Sequence, residues 1–126
     1  MNEKELCQKA IEAMQNSYSP YSECKVGAAL LTGSGKVFCG CNIENAAYSP
    51  SVCAERVALF SAISSGERRF AALAVAGGKD GSITTGFPPC GVCRQVMAEF
   101  CGADFPVLVV TGSDSYKKYT LAQLLP

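Results

Sequence analysis

Apolar residues first recur at helical spacing. Leu6, Ala10, Ile11, Ala13 and Met14 share one face of residues 3–16, which predicts an amphipathic helix. Residues 17–22, with Pro20 among them, break that pattern. The apolar run 26–32 ends at Gly33-Ser34-Gly35 and resumes over 36–41, as in a β-hairpin. A polar loop over 42–51 leads to residues 53–64, where Val57, Ala58, Phe60, Ala62 and Ile63 predict a buried helix closed by Gly66. Residues 70–76 read as a buried strand, 77–89 as a loop, 90–100 as a helix, 107–111 as a strand and 120–125 as a short helix. The order α-β-β-α-β-α-β-α predicts an α/β fold, a mixed β-sheet with helices on both faces.

Length and composition narrow the class. The 126 residues are enough for one domain, 1–126, with a real core. Eleven acidic and eleven basic residues leave no basic excess, which argues against a nucleic-acid partner. Only 17% of residues are charged and 48% are hydrophobic, a lean surface that predicts an oligomer. Eight cysteines could form a disulfide scaffold. However, Met1-Asn2-Glu3-Lys4-Glu5 is charged with no apolar stretch behind it, so no secretory signal is expected. No apolar run reaches membrane-spanning length. The expectation is a cytoplasmic chain with reduced cysteines, available for metal binding or redox chemistry.

Two motifs carry the chemistry, Cys53-Ala54-Glu55-Arg56 and Pro89-Cys90-Gly91-Val92-Cys93. They offer three thiolates and a carboxylate in a chain without histidine. Three ligands with a spare acid suit a catalytic zinc, whereas a structural zinc takes four ligands. Both motifs fall at predicted helix starts, where free N–H groups favour thiolate over thiol. Glu55 follows a ligand by two residues and is placed to move protons without ligating. Arg56 can return positive charge to the sulfurs through a hydrogen bond. A ligand two residues before a glutamate, with a later Pro-Cys-x-x-Cys, is the signature of zinc deaminases.

With Val26-Gly27-Ala28-Ala29-Leu30, Gly40-Cys41-Asn42-Ile43-Glu44-Asn45-Ala46 and Pro89 through Gln95, the chain resembles the small, zinc-dependent cytidine deaminases over nearly its whole length. The resemblance implies a homotetramer with active sites at subunit interfaces. It implies Zn2+ on Cys53, Cys90 and Cys93, and Glu55 as proton shuttle. Arg56 would bond the ligand thiolates. Asn42 and Glu44 would bind the ribose hydroxyls, and the backbone N–H of Ala54 the pyrimidine carbonyl. Tyr48 would reach a neighbouring subunit's site. The implied reaction is hydrolytic deamination of cytidine and deoxycytidine to uridine and deoxyuridine, in pyrimidine salvage. Sugar-binding groups favour a nucleoside over a free base, because they would be left unpaired without the sugar.

Three positions depart from the family pattern. Cys24 stands where a phenylalanine usually packs on the base, and a thiol cannot stack. Pro88 replaces a small polar residue whose backbone carbonyl is what matters. The chain stops at Leu125-Pro126, where relatives usually continue to an aromatic. Two other readings remain open. One is a binding module with a structural zinc, with Cys39 or Cys41 as fourth ligand. The other is a deaminase of a modified cytosine nucleoside or nucleoside antibiotic, kept open by Cys24. Cys7 and Cys101 read as core cysteines, and Arg94 and Gln95 as either helix surface or support for the site.

Overall fold

The computed structural model describes residues 1–79, 82–83 and 86–126. Helix α1 (Glu3–Ala13) begins in a reciprocal cap. The Glu5 N–H donates to the Asn2 side chain at 2.8 Å, and the Asn2 N–H donates to the Glu5 carboxylate at 3.2 Å. The α-helix ends three residues earlier than expected, because Met14–Asn16 tightens into a 3₁₀ turn.

The strands are β1 (Cys24–Thr32), β2 (Val37–Cys41), β3 (Phe70–Lys79), β4 (Pro106–Gly112) and β5 (Ser115–Thr120). The remaining helices are α2 (Ala54–Ser64), α3 (Gly91–Phe100) and α4 (Leu121–Leu124). One sheet holds all five strands in the order β2-β1-β3-β4-β5. Strand β1 runs antiparallel to β2 and β3, β3 parallel to β4, and β4 antiparallel to β5. On one face α1 and the 3₁₀ turn that follows it bury Leu6, Ala10 and Met14 against Ala29, Ala74 and Leu108. On the other, Ala58, Leu59 and Met97 of α2 and α3 pack on Leu30, Val75 and Val107. The mixed sheet with helices on both faces is as expected from the sequence.

The element order needs one correction, since β5 was not expected. Its six residues include Lys117 and Lys118, and among the described residues its only strand partner is β4, so no hydrophobic run marks it. Charged residues are common on such edge strands. Three strands are also longer than expected, β4 by one residue at each end. β1 starts at Cys24, and β3 continues through Gly77, Gly78 and Lys79, which pair with Val26, Lys25 and Cys24. Pairing with β1 draws these glycines into the ladder despite their weak strand preference. Within the expected 77–89 loop, residues 80–81 and 84–85 lie outside the described residues.

The topology sets where the site forms. Strands β2 and β3 are both antiparallel to β1, so they point the same way. The segments that leave them emerge at one edge of the sheet, and α2 and α3 start there. Two glycines let helices approach the sheet closely. At Gly27 a β-carbon would run into the Ala10 carbonyl oxygen and lie 2.5 Å from the Met14 nitrogen. At Gly40 it would lie 2.5 Å from the Ala54 oxygen and 2.6 Å from the Ala58 nitrogen, both backbone atoms of α2.

Gly40→Ala should therefore lift the first turn of α2, destabilising the fold by about 1–3 kcal/mol and weakening zinc retention. Urea unfolding and a chelator competition check both effects. A second prediction concerns the tie between α1 and β5. Glu3 accepts a hydrogen bond from the Tyr116 hydroxyl at 2.7 Å and pairs with Lys118 at 2.7 Å. The Lys118 hydrogen bond, then that of Tyr116, holds the Glu3 carboxyl below the ordinary glutamate value. A depressed carboxylate stabilises the fold above its unfolded-state pKa, and that contribution is lost as pH falls through the folded value. Glu3→Gln should thus cost less than about 1 kcal/mol at neutral pH, with the gap closing below about pH 4. Unfolding midpoints across pH read this directly.

Candidate active site

Cys53 is the N-cap of α2, and Cys90 is the N-cap of α3. Both have extended backbones, so their side chains sit at the mouths of their helices beside N–H groups that lack intrahelical acceptors. Cys93, in the first turn of α3, is fully buried and turns to the same point. The Cys53 and Cys90 sulfurs are 3.7 Å apart, and those of Cys90 and Cys93 are 3.6 Å apart. All three lie within 4.8 Å of one another. Thiolates on a tetrahedral zinc, each about 2.3 Å from the metal, stand about 3.8 Å apart. The donor set therefore fits zinc.

Among the described residues, no fourth cysteine or carboxylate joins the three. Cys39 and Cys41 pair with Ala29 and Gly27, whereas Gly40 between them faces α2. Both cysteines thus project from the opposite face of the sheet, toward α1, where Lys9 and Glu12 act on Cys39. The reading that needed either one as fourth ligand loses its ligand. Cys41 is half-buried there.

The sulfurs share charge unequally. A hydrogen bond from Cys93, aided by Arg56 and Cys90 and opposed by burial, lowers the Cys53 thiol to about 5. Cys93 moves upward, because it donates its proton to Cys53 and is itself buried. Arg56 reaches back one turn, and its guanidinium donates to the Cys53 sulfur at 3.5 Å. Binding a metal displaces the remaining thiol protons.

Glu55 is only 4% exposed, at the second position of α2. Its Oε1 has no hydrogen-bond partner among the described residues. Burial pushes the carboxyl up to about 7, with the Cys53 thiolate adding to the shift and Arg56 opposing it. A carboxyl poised near neutrality, with one oxygen unpaired, can both take and give a proton.

These groups meet at a cavity of about 380 Å³. Cys53, Ala54, Glu55, Arg56 and Cys90 line one side, with Asn42 and Glu44 among its other walls. The Asn42 side chain is largely spent on structure. Its Oδ1 accepts from the Val26 N–H at 2.9 Å and from the Ser17 hydroxyl, and its Nδ2 donates to the Cys24 carbonyl at 2.8 Å. One amide N–H is left for a ligand. Glu44 accepts from the Tyr21 and Ser22 N–H groups at 3.0 and 3.1 Å and from the Ser22 hydroxyl. The Ser22 hydroxyl, ahead of the backbone donors, holds its carboxyl low. A donor on Asn42 and spare lone pairs on Glu44 complement a sugar diol.

Tyr48 does not join this cavity. It is 74% exposed, has a positive φ of 63°, and sets its ring against Tyr21 at 6.2 Å, edge to face. It borders an outer hollow of about 430 Å³ that shares Ser22, Glu44 and Ser51 with the cavity. Cys24 and Pro88 do line the cavity, so two of the family departures bear on its shape. Phe87 escaped the sequence reading, and the structure resolves Arg94, read as either helix surface or support for the site, as support. Phe87 lines the cavity beside Pro88. Arg94 donates to the Pro89 carbonyl at 2.7 Å and the Leu124 carbonyl at 2.8 Å, tying the segment before Cys90 to the end of α4. The position of Phe87 just before the Pro-Pro-Cys run was a usable signal. The thirty-residue reach of Arg94 to Leu124 left no signal in the sequence.

Comparison with known proteins agrees with this geometry. Residues 1–109 match the model of the cytidine and deoxycytidylate deaminase zinc-binding region. The whole chain is 45% identical to a cytidine deaminase of Sporosarcina psychrophila, covering 90% of that protein. It is also 45% identical to one of Halalkalibacterium halodurans, covering 92%. The crystal structure of cytidine deaminase from Burkholderia pseudomallei superposes on the full chain with a TM-score of 0.92 at 44% identity, covering 98% of that chain. The Mycobacterium tuberculosis enzyme superposes with a TM-score of 0.85 at 36% identity, covering 95%. A zinc-binding region matched over residues 1–109 and relatives aligned over the full length, on a fold that gathers three cysteines beside a buried glutamate, make this chain a member of the cytidine deaminase family.

Proposed function

We propose that residues 1–126 form a single catalytic domain that hydrolyses cytidine and deoxycytidine to uridine and deoxyuridine, releasing ammonia, in pyrimidine salvage. The observation that carries this reading is the unpaired Oε1 of buried Glu55, set beside three clustered sulfurs in the cavity.

Cys53, Cys90 and Cys93 would hold a zinc ion, which when bound would supply the Lewis acidity that makes water an effective nucleophile near neutral pH. Glu55 Oε1 is placed to take a proton from the attacking water as the water oxygen bonds to the ring carbon bearing the amine. The carboxyl then gives the proton to the adjacent ring nitrogen. Glu55 then carries the proton of the new hydroxyl to the exocyclic nitrogen, the carbon–nitrogen bond breaks as the hydroxyl oxygen becomes the carbonyl, and ammonia leaves. A carboxyl raised to about 7 suits both directions of transfer. Arg56 holds Cys53 as thiolate. Ala54 presents a first-turn N–H of α2 to the pyrimidine carbonyl. Asn42 donates to the sugar and Glu44 accepts from it, so the site selects nucleosides.

The assembly we propose is a homotetramer, with Tyr48 reaching the site of a neighbouring copy. The exposed apolar side chains of Tyr18, Tyr21, Ile43 and Tyr48, and of Phe60, Val92 and Phe100 elsewhere, support this reading. The proposed location is the cytoplasm and the partner a free pyrimidine nucleoside, without nucleic acid or membrane. No described helix is long and apolar enough to cross a membrane. A modified cytosine nucleoside is the second reading, favoured by Cys24 in the cavity wall.

Zinc-loaded protein should convert cytidine, with the ultraviolet absorbance change that accompanies loss of the amine. Glu55→Gln should keep its zinc and lose at least about a thousandfold in kcat, since the carboxyl moves protons in more than one step. Turnover of only a modified cytosine nucleoside in a substrate panel would favour the second reading. Retained activity in Glu55→Gln would overturn the proton role.

A further inference from the structure

A flat pyrimidine needs an apolar face to lie against, and the cavity offers a single aromatic ring. Among its described lining residues, Phe87 is the only aromatic. The seat of that ring is built into the sheet. Val26 of β1 pairs with Gly77 of β3, on the face where Leu30 pairs with Leu73 beneath α2 and α3. A β-carbon at Gly77 would lie 2.8 Å from Phe87 Cγ and 3.1 Å from its Cβ and Cδ1. The ring therefore rests on bare backbone beside Val26, in space that any side chain at position 77 would fill. The next residue of β1 on that face is Cys24, a small side chain that lines the cavity without stacking. From Phe87 the chain runs through Pro88 and Pro89 to Cys90, and two fixed φ angles hold the ring at a set distance from a sulfur ligand.

We infer that Phe87 is the surface on which the pyrimidine ring of the substrate lies, and that Gly77 is the seat that allows it. This assignment rests on the deaminase reading above and names the specificity contact of that same site. Base and ring touch equally in the ground state and the transition state. The contact therefore lowers KM and leaves kcat alone. A residue that merely anchored the Cys90 segment would instead affect zinc retention and kcat.

The test is steady-state kinetics with cytidine on zinc-loaded wild type, Phe87→Leu, Phe87→Tyr and Gly77→Ala, with zinc content measured alongside. Leucine keeps apolar bulk on the seat but loses the aromatic face. Phe87→Leu should raise KM about three- to tenfold with kcat and zinc content unchanged, and Phe87→Tyr should stay close to wild type. Gly77→Ala should raise KM in the same way, although it changes no cavity side chain. Wild-type KM in Phe87→Leu overturns the inference, as does a parallel loss of kcat and zinc. A wild type that turns over no cytosine nucleoside overturns the deaminase reading itself. Normal wild-type turnover with an indifferent Phe87→Leu overturns only the role of Phe87.

Discussion

Three sulfurs within 4.8 Å of one another set the constraint that the rest of the site answers to. As thiolates they repel. At the 3.7 Å between Cys53 and Cys90, each pair costs about 4 kcal/mol at an effective dielectric of 20. The chain meets that repulsion with positive charge from several directions. Cys53 and Cys90 cap two helices, so the positive ends of α2 and α3 converge on the cluster. Arg56 adds a full charge at 3.5 Å. A zinc dication and Arg56 together balance the three thiolates. Glu55 can then alternate between charged and neutral forms beside a centre that is near neutral overall. In a chain without histidine, this compensation has to come from backbone and arginine.

The fold supplies that convergence through small residues. Gly40 removes the side chain that would separate α2 from β2, and Ala54 and Ala58 supply the helix backbone that fills the space. Because β2 and β3 point the same way across β1, the two helix starts arrive at one edge of the sheet. Asn42 and Glu44 stand at the same edge and do two jobs. Their hydrogen bonds shape the cavity wall between Ser17 and Val26, and what remains of their capacity faces the cavity as one donor and one acceptor. Substituting either would therefore alter wall geometry as well as the proposed sugar contact.

Much of this was legible in the sequence where chemistry and periodicity coincide. The helix and strand patterns at Leu6, Ala10 and Val26 through Leu30 were strong because each packs an apolar face. The Cys53, Glu55, Cys90 and Cys93 spacing was strong because metal geometry tolerates few alternatives. β5 was not legible, since Lys117 and Lys118 on an edge strand carry no hydrophobic signal. Nor were the partners of long-range contacts. The stacking of Phe87 on Gly77 and the Arg94 bridge from Pro89 to Leu124 join positions whose neighbours in sequence say nothing of each other. Tyr48 was legible as a site residue only through family likeness, and within one chain it stands outside the cavity.

The central claim is an open zinc centre with three sulfur ligands. X-ray absorption at the zinc edge of the metal-loaded protein tests it most directly. An open centre gives three sulfur scatterers at about 2.3 Å and one oxygen or nitrogen scatterer at about 2.0 Å. A shell of four sulfurs would contradict it, because a closed four-thiolate centre leaves no position for the reacting water.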